Sequence, residues 1–380
     1  MIRKPVEPVV TDYLYRKAAR MGMPLSGTFE LTPLCNMNCK MCYVRLDQRQ
    51  QAAIRPLATA EQWLALGKAA KDGGMLYLLL TGGEPFSHPE CKQIIQGLHE
   101  MGLLLSVNTN GTLIDETAIA WLKEAPPTRV NVTLYGASNE TYEKLCGDGE
   151  GFTRTVRAIA LLRSAGIPVK INCSVTPDNV ADLPKIAAYC KENQLVLQTN
   201  TYMFPPLRKD DRFIGRNFRF SPEEAAYYTA VSELVTEGSE RFMARQVPAP
   251  EPTEDCREVG DGVRCRAGRC SFWVTWAGKL LPCGMFTLPD CPNVFESDFL
   301  SAWERIKEQV AQIRLPAQCA GCELKDSCRA CAAMVYTESG NFRDVPAYRC
   351  QMAHQFLPQR EKLKARLMAG PDPTRESEGK

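Results

Sequence analysis

Thr28 to Tyr43 reads TFELTPLCNMNCKMCY, a strand-like run that breaks at Thr32-Pro33 and opens into three cysteines spaced CxxxCxxC. A loop at the C-terminal end of a strand is where barrel and open-sheet folds place their chemistry. Three thiolates so close in the chain can wrap one face of a cuboidal iron–sulfur cluster, leaving its fourth iron without a protein ligand. Two other readings stay open: a zinc site, and cysteines packed as small apolar side chains, because the spacings of four and three match helix turns. Zinc favours CxxC pairs and a full set of four ligands, so it fits this stretch less well.

Outward from this stretch, strand-like and helix-period segments alternate. The strand-like runs are Thr28–Thr32, Leu76–Thr81, Leu103–Asn108, Val130–Tyr135, Pro168–Thr176 and Leu195–Tyr202. Between them lie Thr59–Lys71, His88–Met101, Glu116–Glu124, Phe152–Ala165 and Val180–Glu192. The Asp115 and Asp178 regions offer N-caps, and Gly102 and Gly166 sit where helix C-terminal glycines belong. Repeated βα units predict an α/β fold with a parallel sheet, either a partial (βα)6 barrel or a doubly wound sheet. Ser221-Pro222 opens a further helix to about Glu237. Gln246–Gly262, rich in Pro, Glu, Asp and Gly, reads as a linker. Beyond it comes an irregular cysteine-rich segment with little sustained periodicity, whose missing stability a metal could supply. The expected divisions are an N-terminal extension (1–25), a barrel (26–240), a linker (241–262), a small cysteine-rich domain (263–356) and a C-terminal tail (357–380).

Composition narrows the function classes. The 380 residues are 44% hydrophobic and 24% charged, enough to bury a sizeable core. Lys+Arg 46 against Asp+Glu 44 leaves +2, which gives no electrostatic case for nucleic acid or a membrane surface. No signal-peptide run opens the chain and no apolar stretch approaches the ~20 residues that span a bilayer. A cytoplasmic location is therefore expected, where 17 reduced cysteines point to metal ligation or catalysis rather than disulfides.

A second motif, Thr81-Gly82-Gly83-Glu84-Pro85, ends the second strand. Its glycines let backbone approach a ligand closely, and its carboxylate can hold an ammonium group. Tyr43, directly after the third cysteine, offers an aromatic face for an adenine ring. Cys35, Cys39, Cys42 and Tyr43 together with Gly82-Gly83-Glu84 resemble the radical S-adenosylmethionine (SAM) superfamily, over roughly residues 26–235. That resemblance implies a TIM-like partial (βα)6 barrel and a [4Fe–4S] cluster chelated at its open iron by SAM. It also implies reductive cleavage of SAM to a 5′-deoxyadenosyl radical. Val132-Thr133-Leu134-Tyr135-Gly136 is similar to the family's fourth-strand segment, with Thr133 keeping a SAM-binding hydroxyl and Tyr135 replacing a frequent aspartate. Arg154 stands where relatives carry an arginine for the SAM carboxylate, and Asn108–Gly111 is similar to the end of the third strand.

The C-terminal cysteines resemble the SPASM extension found on many radical SAM enzymes that act on peptides and proteins. Cys265, then Gly278 and Cys283, are followed by Cys319-x2-Cys322-x5-Cys328-x2-Cys331 and by Cys350, with Cys270 adding an eighth thiol. By that resemblance Cys265, Cys270, Cys283 and Cys331 bind one auxiliary cluster. Cys319, Cys322, Cys328 and Cys350 bind a second, both clusters expected as [4Fe–4S]. Arg329-Ala330 gives two residues between Cys328 and Cys331 where the family has three. A pair of zinc ribbons is the alternative for this region. Cys91, Cys146, Cys173, Cys190, Cys256 and Cys291 read as ordinary small residues, and His88, His99 and His354 form no cluster.

The expected function is oxidative modification of a peptide or protein by the deoxyadenosyl radical: a thioether or carbon–carbon crosslink, or a dehydrogenation. A flavodoxin or ferredoxin would supply electrons. Only about 34 residues precede Cys35, too few for a winged-helix leader-binding domain, so a separate leader-binding protein is one option. The loop Arg208-Lys209-Asp210-Asp211-Arg212 could contact an acidic leader or simply be solvated. Alternatives are a sulfatase-maturing enzyme, a small-molecule dehydrogenase and a non-catalytic iron–sulfur electron carrier. Some maturing enzymes carry an acidic catalytic residue directly after the cysteine equivalent to Cys283, where this chain has Gly284.

Overall fold

Leucine-, valine- and isoleucine-rich runs pair in the order in which they occur along the chain. In the computed structural model, which describes residues 10–207, 214–216, 218–245, 261–328 and 330–370, six of them form parallel strands. These are β1 (Ser26–Glu30), β2 (Tyr77–Thr81), β3 (Leu104–Thr109), β4 (Arg129–Thr133), β5 (Val169–Ser174) and β6 (Val196–Asn200). Each pairs with its sequence neighbour, β6-β5-β4-β3-β2-β1, and helices fill the crossovers. Sequential order is the singly wound topology of a partial barrel, which settles the choice left open against a doubly wound sheet.

Side chains alternate across this sheet. Leu78, Leu80, Leu105, Val107, Val130, Val132 and Ile171 are at most 1% exposed and pack against the surrounding helices. Their neighbours Asn108, Thr133, Asn172, Ser174 and Asn200 face a cavity inside the barrel. Parallel strands buried on both faces are apolar throughout; polar alternation here marks an inner face built for solvent or ligand.

Capping follows local chemistry. Asp115 accepts from the Ala118 N–H at 2.8 Å, and Ser221 forms a capping box with Glu224 ahead of Pro222. Asp178 is not a cap: the helix begins at Leu183 after a tight turn, and Asp178 instead pairs with Lys40 and Lys144 at 2.5 and 3.0 Å.

The cysteine-rich region docks directly on the barrel. Its strand β7 (Ser271–Val274) pairs parallel with β1, and β8 (Leu280–Leu281) pairs antiparallel with β7, so the β1 edge is covered. Phe272 meets Phe29, Phe299 and Trp303 at 6.5, 5.0 and 6.1 Å, and the Trp303 indole N–H donates to the Gly22 carbonyl at 2.7 Å. Barrel and extension therefore share one core, sustained by the helix Phe299–Gln312, whose Phe299, Ala302, Trp303, Ile306 and Val310 are buried. The last helix, Ala347–Ala369, runs past the expected start of the tail at residue 357 and packs on the helix Pro222–Glu237. Buried Arg360 fixes it there, donating to Glu233 at 3.2 Å and to the Phe242 carbonyl at 3.0 Å. Most of the expected linker, the Arg208–Arg212 loop, Cys256 and residues 371–380 lie outside the described residues.

Candidate active site and cysteine-lined cavities

After β1 the chain passes through Thr32, Pro33 and Leu34 into the cysteine loop, and the loop after β2 lies against it. The Gly83 N–H donates to the Thr32 carbonyl at 2.7 Å and the Glu84 N–H to the Leu34 carbonyl at 2.8 Å. A Cβ on Gly82 would stand 2.5 Å from the Thr32 carbonyl oxygen, and one on Gly83 would stand 2.4 Å from that of Leu34. The glycine pair is thus what lets the two loops touch. Asn110 ties in the third strand, donating to Asn36 at 2.9 Å, while the Asn38 N–H donates to the Cys146 carbonyl at 2.7 Å.

The result is a cavity of about 350 Å³ at the C-terminal ends of the strands. Cys35, Cys39, Cys42, Tyr43, Gly82, Gly83 and Thr133 all line it. Burial pushes the Cys35 thiol up to about 12, whereas hydrogen bonds with Cys146 and Tyr135 hold the Cys39 thiol below its ordinary range. Glu84 and Arg154 sit elsewhere. The Glu84 carboxylate points into the protein, accepting from the Thr109 hydroxyl (2.8 Å), the Asn110 N–H (2.7 Å) and the Phe86 N–H (3.1 Å). Burial raises it to about 7. It joins the ends of β2 and β3 rather than facing an ammonium group across the cavity. The Arg154 guanidinium is engaged by Asp148 at 2.5 Å. His88 fixes the same loop from below: its Nδ1 accepts from the Glu90 N–H, leaving Nε2 to donate to the Ala58 carbonyl at 3.0 Å.

The other cysteines fall into groups. Cys319, Cys322, Cys328 and Cys350 line one small cavity of about 60 Å³. Cys265 and Cys283 line another, between the first helix (Val10–Met21) and β7. Cys331 lies close enough to Cys265 to raise its pKa as a like charge, although burial is the larger cause. Cys270 is fully buried beneath, against Ala18 and Leu25. Among the described residues no three His, Cys, Asp or Glu side chains close on a single ion position, as a four-ligand zinc ion requires. Cuboidal clusters ask for something different. Each thiolate serves its own iron, so the thiols must share a cavity rather than a point, and the Cys35 and Cys319 cavities meet that condition. Cys91, Cys146, Cys173 and Cys190 are buried, and the Cys291 thiol is satisfied by Leu288 within its own turn.

The family model of the Radical SAM superfamily matches residues 29–190. Residues 29–190 carry a radical SAM domain. An AdoMet-dependent heme synthase of Methanosarcina barkeri is 27% identical over 346 residues, covering 87% of this chain and 97% of that protein. A PqqA peptide cyclase of Gluconobacter oxydans is 25% identical over 328 residues, covering 83% and 87%. In structure, Streptococcus suis SuiB bound to S-adenosylmethionine superposes with a TM-score of 0.67 at 18% identity, covering 89% of this chain and 81% of that one, which is a likeness of fold.

Several residues of the cavity that Cys35, Cys39 and Cys42 line escape sequence reasoning. Asn172, Ser174 and Asn200 are single polar residues on strands, whose alternation was readable but whose facing was not. Tyr202, Met203 and Phe204 form an apolar wall just past β6. Met285 enters from the extension, two residues after Cys283, and only the folded chain brings it there. Tyr202 is held by a buried ion pair: its hydroxyl donates to Glu338 at 2.7 Å, and Arg219 grips both Glu338 oxygens at 2.6 and 3.1 Å.

Proposed function

We propose that this radical SAM enzyme oxidatively modifies a peptide or protein, forming a thioether or carbon–carbon crosslink or dehydrogenating a residue. The observation that carries the reading is the shared cavity: Met285, from the Cys283 loop, stands in the same wall as Cys35, Cys39 and Cys42. Cys35, Cys39 and Cys42 would hold a [4Fe–4S] cluster, with Tyr43, Gly82, Gly83 and Thr133 around its SAM. When bound, SAM supplies a 5′-deoxyadenosyl radical for hydrogen abstraction. Cys265, Cys270, Cys283 and Cys331 would hold one auxiliary cluster and Cys319, Cys322, Cys328 and Cys350 the other, giving an electron acceptor beside the site. The polar wall of Asn172, Ser174 and Asn200 suits backbone amides, and Tyr202, Met203 and Phe204 suit a side chain. A flavodoxin or ferredoxin would deliver electrons, and a separate protein could present the leader.

Gly284 weighs against the maturase alternative. A Cβ there would stand 2.7 Å from the Trp273 ring, so an acidic side chain at this position has no room. One observation favours a second reading: the heme synthase relative matches over nearly its whole length, which keeps a small-molecule oxidation in play. The test is anaerobic turnover of the reconstituted protein with SAM, dithionite and peptides encoded beside its gene, read by mass spectrometry. A product lacking two hydrogens supports the reading. SAM consumption with no peptide product, alongside conversion of a heme precursor, favours the second.

A further inference from the structure

One buried thiol that the proposed chemistry leaves unused lies against the cysteine loop. Cys146 ends the helix Asn139–Cys146, closed by Gly147 in the left-handed conformation, and is fully buried. The loop is pinned to this helix end on both sides of Cys39: the Asn38 N–H donates to the Cys146 carbonyl at 2.7 Å and the Lys40 N–H to the Leu145 carbonyl at 3.1 Å. Between those two bonds the Cys39 sulfur meets the Cys146 thiol, in a core shared with Met37, Tyr142 and Leu145. Tyr135, two residues past β4, closes on the same sulfur with its hydroxyl. Tyr142 holds it there, accepting from the Tyr135 N–H at 3.1 Å and meeting its ring edge-on at 6.0 Å. The neighbouring ligands are served differently. The Cys35 sulfur accepts from the Met37 N–H at 3.4 Å and the Asn110 side-chain amide at 3.8 Å, and the Cys42 sulfur from the Arg45 N–H at 3.3 Å. The Cys39 sulfur meets a thiol and a phenol, from two different elements.

We infer that Cys146 and Tyr135 donate hydrogen bonds to the Cys39 sulfur when it ligates iron, and so raise the potential at which the SAM-binding cluster takes up its electron. The inference rests on the reading of Cys35, Cys39 and Cys42 as ligands of that cluster. The direction of donation follows from chemistry: a ligating thiolate has no proton to give, whereas a free thiol and a phenol at neutral pH each carry one. Reduction adds negative charge to the cluster, and a donor aimed at a ligand sulfur stabilises the reduced form more than the oxidised one. Apolar surroundings strengthen the effect, because they screen the hydrogen bonds little. One electron arrives from the external reductant, and neither Cys146 nor Tyr135 gives up its proton. The competing account is that both residues merely fill space beside the loop, in which case side-chain shape matters and the donated hydrogen does not.

A redox titration of the anaerobically reconstituted full chain, monitored by electron paramagnetic resonance, tests this on the iron–sulfur signal that SAM perturbs. At the wild-type midpoint, the ratio of reduced to oxidised cluster should fall at least about threefold in Cys146→Ala and in Tyr135→Phe, and about tenfold in the double variant. Cys146→Ser, which keeps a donor, should stay within about twofold of wild type. If Cys146→Ala loses the cluster, Tyr135→Phe, which keeps the ring, carries the same prediction. Equal falls in Cys146→Ala and Cys146→Ser overturn the inference, because shape alone would then account for them. A signal that vanishes in Cys42→Ala, with the ratio unchanged in both donor variants, retires the hydrogen bonds alone. A signal that survives intact in Cys42→Ala retires the ligand reading and this inference with it.

Discussion

Gly83 has no space for a methyl group, because the nearest atoms are backbone carbonyls of the cysteine loop rather than side chains that can turn away. Gly83→Ala should push Leu34, and with it Cys35, out of place. We expect a loss of about 1–3 kcal/mol in urea denaturation and at least a tenfold drop in 5′-deoxyadenosine formation. Gly102, at φ +78° with nothing within 4 Å of its Cβ position, is the control: alanine there costs about 1 kcal/mol and leaves the chemistry alone. Glu84 makes a pH-dependent prediction. Its folded pKa of about 7 lies above the ordinary 4.5, so the folded protein binds the extra proton between these values. Its contribution is complete below about 4.5 and is lost as pH rises through about 7. Wild type should therefore lose up to about 3 kcal/mol relative to Glu84→Gln between pH 5 and 8, read from paired denaturation curves. A difference independent of pH would contradict the buried placement. At this scale the sequence points to Cys35, Cys39, Cys42, Tyr43, Gly82, Gly83 and Thr133. It could not tell that Glu84 turns inward, because a carboxylate after two glycines is compatible with either direction.

Among the elements, the helix Ala332–Ser339 is the one that couples the two halves. It starts at Cys331, and Glu338 near its end forms the buried pair with Arg219, whose guanidinium also lies 3.6 Å over Tyr348. Glu338→Gln leaves Arg219 charged and unpaired in the interior, at a cost of about 3–5 kcal/mol. Arg219→Met/Glu338→Leu removes both charges and should be distinctly milder by the same denaturation measurement; equal losses would mean that the pair is not desolvated. The six barrel strands were legible within a few residues because each is an apolar run bounded by turn residues. The helix Phe299–Gln312 has an equally regular buried stripe, yet the surrounding cysteines, glycines and prolines obscured it. The last helix continues through Pro358 and past residue 357, where the tail was expected to begin, because packing on Pro222–Glu237 sustains it. Topology supplied what pattern could not, namely that β7 completes the β1 edge.

Among the described residues, three cavities that each gather two or more cysteines are arranged around one shared core, and no helix is long and apolar enough to cross a membrane. If all three centres assemble as four-iron clusters, the reconstituted chain holds about twelve irons and absorbs near roughly 400 nm. Replacing Cys35, Cys39 and Cys42 with alanine should lower this to about eight while leaving the other two centres in place. Production of 5′-deoxyadenosine from SAM and dithionite under anaerobic conditions tests the central claim most directly. The wild-type chain should form it and the triple-alanine variant should form none. A fully iron-loaded wild type that forms none, or a variant that forms as much, would contradict the assignment of Cys35, Cys39 and Cys42.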